Sequence, residues 1–307
     1  EENMQMVEIS ASMVKELREK SGAAMMDCKK ALVESEGDFE KAFEWLRQKG
    51  RAQASNKASR AASEGLVVGK LSPCNKRAAI IELNCETDFV ARNEQFQSFA
   101  SQLAELALEH KTTSAAALLE QKHGAATVRD LLTEKVQTIG ENLVLRRADY
   151  IEVTGHGVIG LYIHAVGGKL GAMVALEANR EASAEEVLST ARDVAMHIVS
   201  SKPQFVDRSQ VPADVLENER RIELGKEDLA EKPAEIREKI VTGRVNKLIG
   251  ERVLLEQDFV KDPSRKISQI LKVKPDLELK ATAFKLYILG AQDDAATETN
   301  GHSKPTA

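Results

Sequence analysis

The fold class is decided by residues 78–90, AAIIELNCETDFV. Residues 78–83 form a mostly apolar run of the length expected for a strand in a buried sheet. Thr87 or Asp88 then supplies a side chain that can cap a helix. Because a strand passes into a helix within a few residues, and both patterns recur along the chain, the sequence predicts an α+β fold.

The polar pair Thr87-Asp88 and the residue after it, Phe89, have two interpretations. The first is structural: the pair caps a helix and Phe89 packs as a hydrophobic staple. The second is functional: an acidic tip and a large apolar wedge are presented on a loop to another protein, since loops on a rigid scaffold often carry function. The pattern alone leaves both open.

The elements around this stretch occur twice in the same order, with Gly65 and Gly157 at equivalent starts. Each copy has a strand pair, a helix and a closing strand. The predicted elements are strands over 66–68 and 78–83, a helix over 94–108, helical structure within 111–140, a strand over 143–153, strands over 158–165 and 172–177, a helix over 184–200 and a strand over 277–289. The sequence therefore predicts two related α/β core halves, 54–153 and 154–290.

Residues 7–53 predict a domain of three helices. The first begins at Ser10 or Ser12 and ends at Gly22, the second spans 24–35, and the third runs from Phe39 to near Gly50. A unit of this size buries little surface and is expected to lean on a partner. The basic stretch 47–63 is predicted to be a linker or a solvated helix.

Residues 212–250 predict a helical hairpin module, broken at Lys232-Pro233. Its second helix carries a narrow apolar stripe, composed of Ile236, Ile240, Val245 and Leu248. Such a stripe on charged helices indicates helix packing, within one molecule or in a homodimer. The polar tail, 291–307, is predicted to be disordered.

The composition excludes several classes of protein. A chain of 307 residues with 42% apolar and 30% charged residues is typical of a soluble globular protein. No run approaches the ~18 apolar residues of a membrane span, so no membrane partner is expected. The net charge of −5 argues against direct nucleic-acid binding, which requires a basic surface.

The common catalytic and cofactor patterns are missing, with one weak exception. Residues 155–160, GHGVIG, fit the dinucleotide pattern, but a strand pattern follows them and no helix opens there. The glycines are therefore expected to be turn residues, and a nicotinamide-dependent oxidoreductase is a distant alternative. We expect no catalytic residue, no metal and no cofactor.

Cys28, Cys74 and Cys85 are expected to be free, buried or half-buried thiols in a reducing compartment. The chain opens with Glu1 and not with methionine. This start leads us to expect either the bacterial cytoplasm or, where a transit peptide has been removed, a plastid or mitochondrial matrix.

Several segments resemble elongation factor Ts, in the family's own order. The two longest are residues 14–32, VKELREKSGAAMMDCKKAL, and residues 82–93, ELNCETDFVARN. The shorter ones are IGEN at 139–142, AMH at 195–197, SKP at 201–203, and the segment from Lys232-Pro233 to Gly243-Arg244. The resemblance covers about residues 7–290 and is far more specific than any single motif. Beyond Gly290 many family members continue with a Gly-Glu-Gly-Ile-Glu-like run and a helix, whereas this chain has its polar tail.

The resemblance implies a guanine-nucleotide exchange factor for the GTPase elongation factor Tu, which performs no covalent chemistry. It implies that the three-helix domain is ubiquitin-associated-like. The implied partner-binding residues are Arg18, Met25 and Met26 on the N-terminal domain, Thr87, Asp88, Phe89 and Val90 at the core tip that helps to dislodge Mg²⁺, and His164 on the core. The alternative is a GTPase- or ribosome-associated interaction protein on the same scaffold that lacks exchange activity.

Overall fold

The structure, a computed structural model, describes residues 9–291. Its helices are α1 (Ala11–Ser21), α2 (Met25–Glu34), α3 (Phe39–Lys57), α4 (Asp88–Ala91), α5 (Glu94–Glu109), α6 (Ala115–Leu119), α7 (Val128–Ile139), α8 (Ala184–Ser201), α9 (Ala213–Leu224), α10 (Ala234–Gly250) and α11 (Ile267–Ile270). Its strands are β1 (Glu64–Leu71), β2 (Arg77–Cys85), β3 (Lys122–His123), β4 (Ala126–Thr127), β5 (Val144–Glu152), β6 (Gly157–Ile163), β7 (Leu170–Ala178), β8 (Asp258–Phe259), β9 (Asp262–Lys266), β10 (Lys272–Lys274) and β11 (Leu277–Ile288). The predicted α+β class is confirmed. The predicted disordered tail lies outside the described residues, apart from Ala291.

The first three helices form a small unit with its own apolar core. Ser10 caps α1 by accepting a hydrogen bond from the backbone of Met13, and Gly22 ends it in the left-handed conformation. The core comprises Val14, Leu17, Ala23, Cys28, Ala31, Leu32, Ala42 and Leu46. The predicted end of the third helix near Gly50 is wrong, because α3 continues to Lys57. A Cβ at Gly50 would overlap the Gln137 side chain, so glycine lets α3 approach α7 closely at this point.

The segment predicted to be helical within 111–140 contains two helices, α6 and α7, with a short hairpin of β3 and β4 between them. Ser114 caps α6, and Thr127 caps α7 through a capping box with Asp130. The turn at Gly124 has a positive φ, which explains why one continuous helix does not form there.

The two main sheets repeat one strand arrangement. The first has the order β1-β2-β5 and the second has the order β10-β11-β7-β6. In both, a hairpin is joined by a closing strand that pairs with the hairpin's second strand. Gly65 and Gly157 have φ values of 143° and 154°. A Cβ at Gly65 would lie 2.2 Å from the Leu83 carbonyl oxygen, and a Cβ at Gly157 would lie 2.5 Å from the Leu176 carbonyl oxygen. Equivalent glycines thus meet equivalent carbonyls, as the predicted relation between the two halves requires.

The helical hairpin is present as α9 and α10, which pack against each other. Its predicted apolar stripe is only partly right. The residues of α10 that are buried are Val241, Val245 and Ile249, whereas Ile236 is half exposed. Residues 241, 245 and 249 repeat every four positions and so share one helix face, which packs with Phe205, Val211 and Leu229.

Internal packing divides the described residues into two compact units. The first contains residues 9–66 and 81–148, and the second contains 67–80 and 149–291. These units cut the chain at other points than the predicted boundaries 7–53, 54–153 and 154–290, which stay predictions. The ubiquitin-associated-like character of the three-helix unit also stays a prediction.

Candidate protein-binding site

The loop that follows β2 begins a one-turn helix, α4, at Asp88. The Thr87 side chain caps it, since its hydroxyl oxygen accepts a hydrogen bond of 3.3 Å from the backbone N–H of Val90. The predicted cap is therefore confirmed at Thr87. We call residues 86–90 the tip loop.

The Glu141 carboxylate holds the backbone of the tip loop. One of its oxygens accepts hydrogen bonds of 3.0 Å from the backbone N–H groups of both Glu86 and Thr87. The other accepts a hydrogen bond of 2.6 Å from the Thr87 hydroxyl. Glu141 lies just after Gly140, which ends α7 in the left-handed conformation. A helix end thus delivers a carboxylate to three donors on a neighbouring loop.

A second carboxylate reaches in the opposite direction. Glu86 accepts a hydrogen bond of 2.6 Å from the backbone N–H of Asn142 and a longer one, 3.4 Å, from the Arg60 guanidinium. The Asn142 side chain donates to the Arg60 carbonyl at 2.8 Å. We call Arg60, Glu86, Glu141 and Asn142 the clasp, because Glu86 and Glu141 each bind the backbone of the other's loop.

Phe89 is 81% exposed, although it lies on this braced loop. The predicted hydrophobic staple is therefore wrong, since a staple packs its aromatic ring against the helix. The neighbouring Asp88 pairs with Arg92 one turn later at 3.0 Å, where the Arg92 side chain is largely exposed and that of Asp88 about half exposed. An exposed pair of this kind is worth only ~0.5 kcal/mol, so Asp88 is easily available to another partner.

The three-helix unit carries its own exposed apolar residues. Met25 and Met26 begin α2 and are 53% and 74% exposed, and Arg18 lies exposed on α1. Gly22 ends α1, and the buried Ala23 anchors the short connection to α2. Flexible thioethers on a surface suit adaptable apolar contacts.

His164 lies in the second unit, immediately after β6. Its backbone N–H donates to the Leu170 carbonyl at 2.8 Å, and its Nδ1 lies 3.1 Å from the Tyr162 hydroxyl. The ring is half-buried.

The glycine motif at 155–160 has structural roles in the second unit. It leads into the strand β6 and does not open a helix, as expected from the sequence. A Cβ at Gly160 would lie 2.0 Å from the backbone carbonyl oxygen of Ala191 in α8, so this glycine permits close packing of helix on strand. Among residues 9–291 no group of three or more potential metal ligands was found.

The three thiols differ from one another. Cys28 and Cys85 are buried and free, but Cys74 is exposed, so the expectation of burial is wrong for Cys74. Cys74 lies in the turn between β1 and β2, where its thiol contacts the Ser72 hydroxyl at 3.2 Å. Burial raises the pKa of the Cys85 thiol to about 12, and the nearby Glu141 carboxylate adds to this shift.

Within the described part of the chain, no helix is both long and apolar enough to cross a membrane.

The fold and the site define a multi-module α+β protein that presents an exposed aromatic side chain on a braced loop, a surface suited to binding another protein. The sequence profile of the family "Elongation factor TS" matches residues 86–291. The chain is 44% identical to elongation factor Ts of Thiobacillus denitrificans, with 93% of each chain covered. It is 44% identical to that of Prosthecochloris aestuarii, with 93% of this chain and 100% of the relative covered. It is 42% identical to that of Nostoc sp., with 93% of each covered. The chain belongs to the elongation factor Ts family of translation elongation factors.

The clasp is the part of the site that sequence reasoning missed. Its members are Arg60, Glu86, Glu141 and Asn142. The segment IGEN, residues 139–142, did stand out as one of the matches to the family, but nothing in the sequence pattern indicated which residues it contacts. A polar segment that directly follows a helix-ending glycine was the available signal.

Proposed function

We propose that this protein is a guanine-nucleotide exchange factor that binds the GDP form of elongation factor Tu, disturbs its Mg²⁺ and phosphate site, and promotes GDP release and GTP loading. The proposed activity involves no covalent chemistry. The protein is proposed to act where translation takes place, in a bacterial cytoplasm or in a plastid or mitochondrial matrix.

The observation that carries the proposal is the exposure of Phe89 on a loop whose backbone is already fixed. An aromatic side chain that is 81% exposed contributes little to the fold of its own chain. A rigid loop loses little conformational entropy when it inserts into a partner, so more of the contact energy remains for the interaction. Thr87 and Val90 flank the wedge, and Asp88 supplies a carboxylate beside it.

The exchange mechanism follows from thermodynamic linkage. A factor that binds the nucleotide-free GTPase more tightly than the GDP form must weaken GDP binding by the same coupling free energy. Mg²⁺ requires near-octahedral oxygen ligands and bridges protein to phosphates, so a small displacement of its surroundings is an effective way to apply that coupling. In this scheme Phe89 is the wedge and Asp88 perturbs the polar surroundings of the ion.

The other predicted contacts extend this interface. Met25 and Met26, with Arg18 near them in the chain, are proposed to bind the nucleotide-binding domain of the GTPase. Their exposure supports this role, since two adjacent uncovered methionines form an adaptable apolar patch. His164 is proposed as a further contact on the core.

A homodimer through the helical hairpin is also proposed. Arg220 and Glu238 form an ion pair of 2.6 Å between α9 and α10. Ile222 on α9 and Ile236 on α10 are each half exposed. Two such residues offer an apolar contact to a second copy.

The proposed exchange activity is tested by stopped-flow release of fluorescent GDP from elongation factor Tu. We expect release to become faster as the concentration of this protein increases. A separate binding measurement, such as calorimetry, decides the meaning of a negative result. Binding without faster release would favour the alternative, an interaction protein on the same scaffold.

A further inference from the structure

We propose that Glu141 is a positioning residue, whose carboxylate fixes the tip loop in the conformation that presents Phe89. This inference rests on the exchange function proposed above. It concerns a residue that follows α7 and that the wedge mechanism does not otherwise use.

The contacts of Glu141 fall on the two residues that precede α4. Its carboxylate accepts hydrogen bonds from the N–H of Glu86, the N–H of Thr87 and the Thr87 hydroxyl, at 3.0, 3.0 and 2.6 Å. Hydrogen bonds to an ionised acceptor are about twice as strong as those between neutral groups. Both Glu86 and Thr87 are partly buried, so their N–H groups would lose an acceptor if Glu141 were truncated.

Phe89 has no comparable support of its own. Its side chain is 81% exposed, so its position is set by the backbone that carries it. That backbone is the single turn of α4, Asp88–Ala91. An isolated helical turn is unstable because nucleation is costly, so the turn depends on the cap at Thr87. Glu141 holds Thr87 by both its backbone and its hydroxyl.

The rest of the clasp restrains Glu141 itself. The next residue, Asn142, donates its backbone N–H to Glu86 and its side-chain amide to the Arg60 carbonyl. Because Arg60 also contacts Glu86, the loop after α7, the tip loop and the segment after α3 restrain one another. The position of Phe89 is therefore fixed by residues that are remote from it in sequence.

The geometry makes a graded prediction for substitutions at Glu141. Glu141→Gln keeps the length, and its amide oxygen can still accept both backbone N–H groups while its amide nitrogen donates to the Thr87 hydroxyl. Glu141→Asp keeps the charge, but it is one methylene too short to reach all three donors. Glu141→Ala keeps neither. If the role is positioning, Gln therefore preserves function better than Asp does.

The first measurement is amide hydrogen exchange in the free protein, with no GTPase present. We expect Glu141→Ala to accelerate exchange at Glu86, Thr87 and Val90 by about tenfold or more, since each loses direct or indirect protection. Glu141→Gln should stay close to wild type. Glu109→Ala is the matched control, because it removes an exposed carboxylate of the same charge at the end of α5. If amide hydrogen exchange at the tip loop is unchanged in Glu141→Ala, the inference is overturned, whatever the nucleotide-exchange activity of that variant.

The second measurement is the rate of GDP release as a function of factor concentration. We expect Glu141→Ala and Glu141→Asp to lower the maximal release rate by about tenfold, with a smaller change in the half-saturating concentration, because a misplaced wedge acts after binding. In the Phe89→Ala background, Glu141→Ala should have no further effect, since it acts through Phe89.

The outcomes separate the two proposals. If wild type fails to accelerate release, the proposed function fails, and hydrogen exchange still tests the clasp on its own. If wild type is active and Glu141→Ala is equally active despite a loosened tip loop, the positioning role is wrong. Independent, additive losses from Glu141→Ala and Phe89→Ala would also contradict it and would indicate a general structural role.

Discussion

The Thr87 hydroxyl donates a hydrogen bond of 2.6 Å to the Glu141 carboxylate, although 54 positions separate the two residues in the chain. The same hydroxyl oxygen accepts the backbone N–H of Val90 and so caps α4. Thr87 therefore joins the tip loop both to its own short helix and to the end of α7. This arrangement fixes the loop before any partner arrives, which reduces the entropy lost on binding.

Thr87→Val removes the hydroxyl while keeping the β-branched shape. We expect it to lower the free energy of unfolding by about 1 kcal/mol, the usual cost of losing a helix cap, whereas Thr87→Ser should be nearly neutral. Urea denaturation of the three proteins measures the difference. A Val variant as stable as wild type would show that neither hydrogen bond of the Thr87 hydroxyl contributes to stability.

A buried ion pair between β2 and β5 should matter far more for stability. Glu82 is fully buried and Arg147 is 10% exposed, and the Arg147 Nε donates to the Glu82 carboxylate at 2.9 Å. We expect Arg147→Met to cost about 3–5 kcal/mol, because it leaves a buried carboxylate without its partner. Equilibrium unfolding by guanidinium chloride measures this cost.

The matched control is the exposed pair of Arg129 and Glu120, which the same kind of substitution also breaks. Arg129→Met should change the free energy of unfolding by less than about 1 kcal/mol. Equal effects at Arg129 and Arg147 would contradict the argument from burial. The double variant Glu82→Leu/Arg147→Met should recover much of the loss, since it leaves no charge unpaired.

His197 makes stability dependent on pH. Its ring is fully buried, its Nδ1 accepts the backbone N–H of Val260 at 3.2 Å, and its Nε2 lies 3.0 Å from the Gln257 side-chain oxygen. The Gln257 amide nitrogen donates to the Ser201 and Glu251 carbonyls, so its oxygen is the atom that accepts from Nε2. The neutral ring with its proton on Nε2 satisfies every contact, and a proton on Nδ1 would face the Val260 donor.

Burial therefore lowers the pKa of His197 below its ordinary value of 6.5. The unfolded chain then binds more protons than the folded chain at pH values between the lowered pKa and 6.5, so stability falls as the pH decreases through that window. We expect a greater loss of unfolding free energy between pH 7.5 and pH 5.5 for wild type than for His197→Gln. Parallel pH profiles for the two proteins would contradict this assignment.

The proposed homodimer depends on Ile222 and Ile236 at the end of the hairpin. Ile222→Glu/Ile236→Glu would introduce like charges into a self-contact, so we expect it to shift a dimer toward monomer in sedimentation velocity. Lys247→Glu, on an exposed position elsewhere on α10, is the control for a change of charge. A wild-type protein that stays monomeric at all accessible concentrations would refute the dimer.

Local signals in the sequence predicted the elements well where those signals were complete. Helix α1 begins after Ser10 and ends before Gly22, as expected, and Thr87 caps α4. The end of α3 was wrongly predicted at Gly50. The destabilisation that glycine causes within a helix is offset there by close packing against Gln137, and the local sequence does not show that Gln137 is a neighbour. The short elements β8, β9, α11 and β10 were not predicted, since two to five residues carry too little periodicity to detect.

The candidate site was predictable in part for the same reason. Thr87, Asp88 and Phe89 are consecutive, so their cap and their exposed aromatic residue could be considered from sequence alone. Glu141 contacts Glu86 and Thr87 across separations of 55 and 54 positions, which no local pattern encodes. The staple at Phe89 was a reasonable local expectation, but a one-turn helix offers no further turn against which the ring could pack.

The most direct test of the role of Asp88 and Phe89 compares GDP release from elongation factor Tu in the presence of wild type, of Asp88→Ala/Phe89→Ala and of Val260→Ala. Val260 is an exposed apolar residue of the second unit. Because Phe89 is exposed, we expect the free energy of unfolding of the double variant to lie within about 0.5 kcal/mol of that of wild type. We expect wild type and Val260→Ala to accelerate release and the double variant to lose most of this acceleration. A stable double variant that accelerates GDP release as strongly as wild type would contradict the proposed role of Asp88 and Phe89.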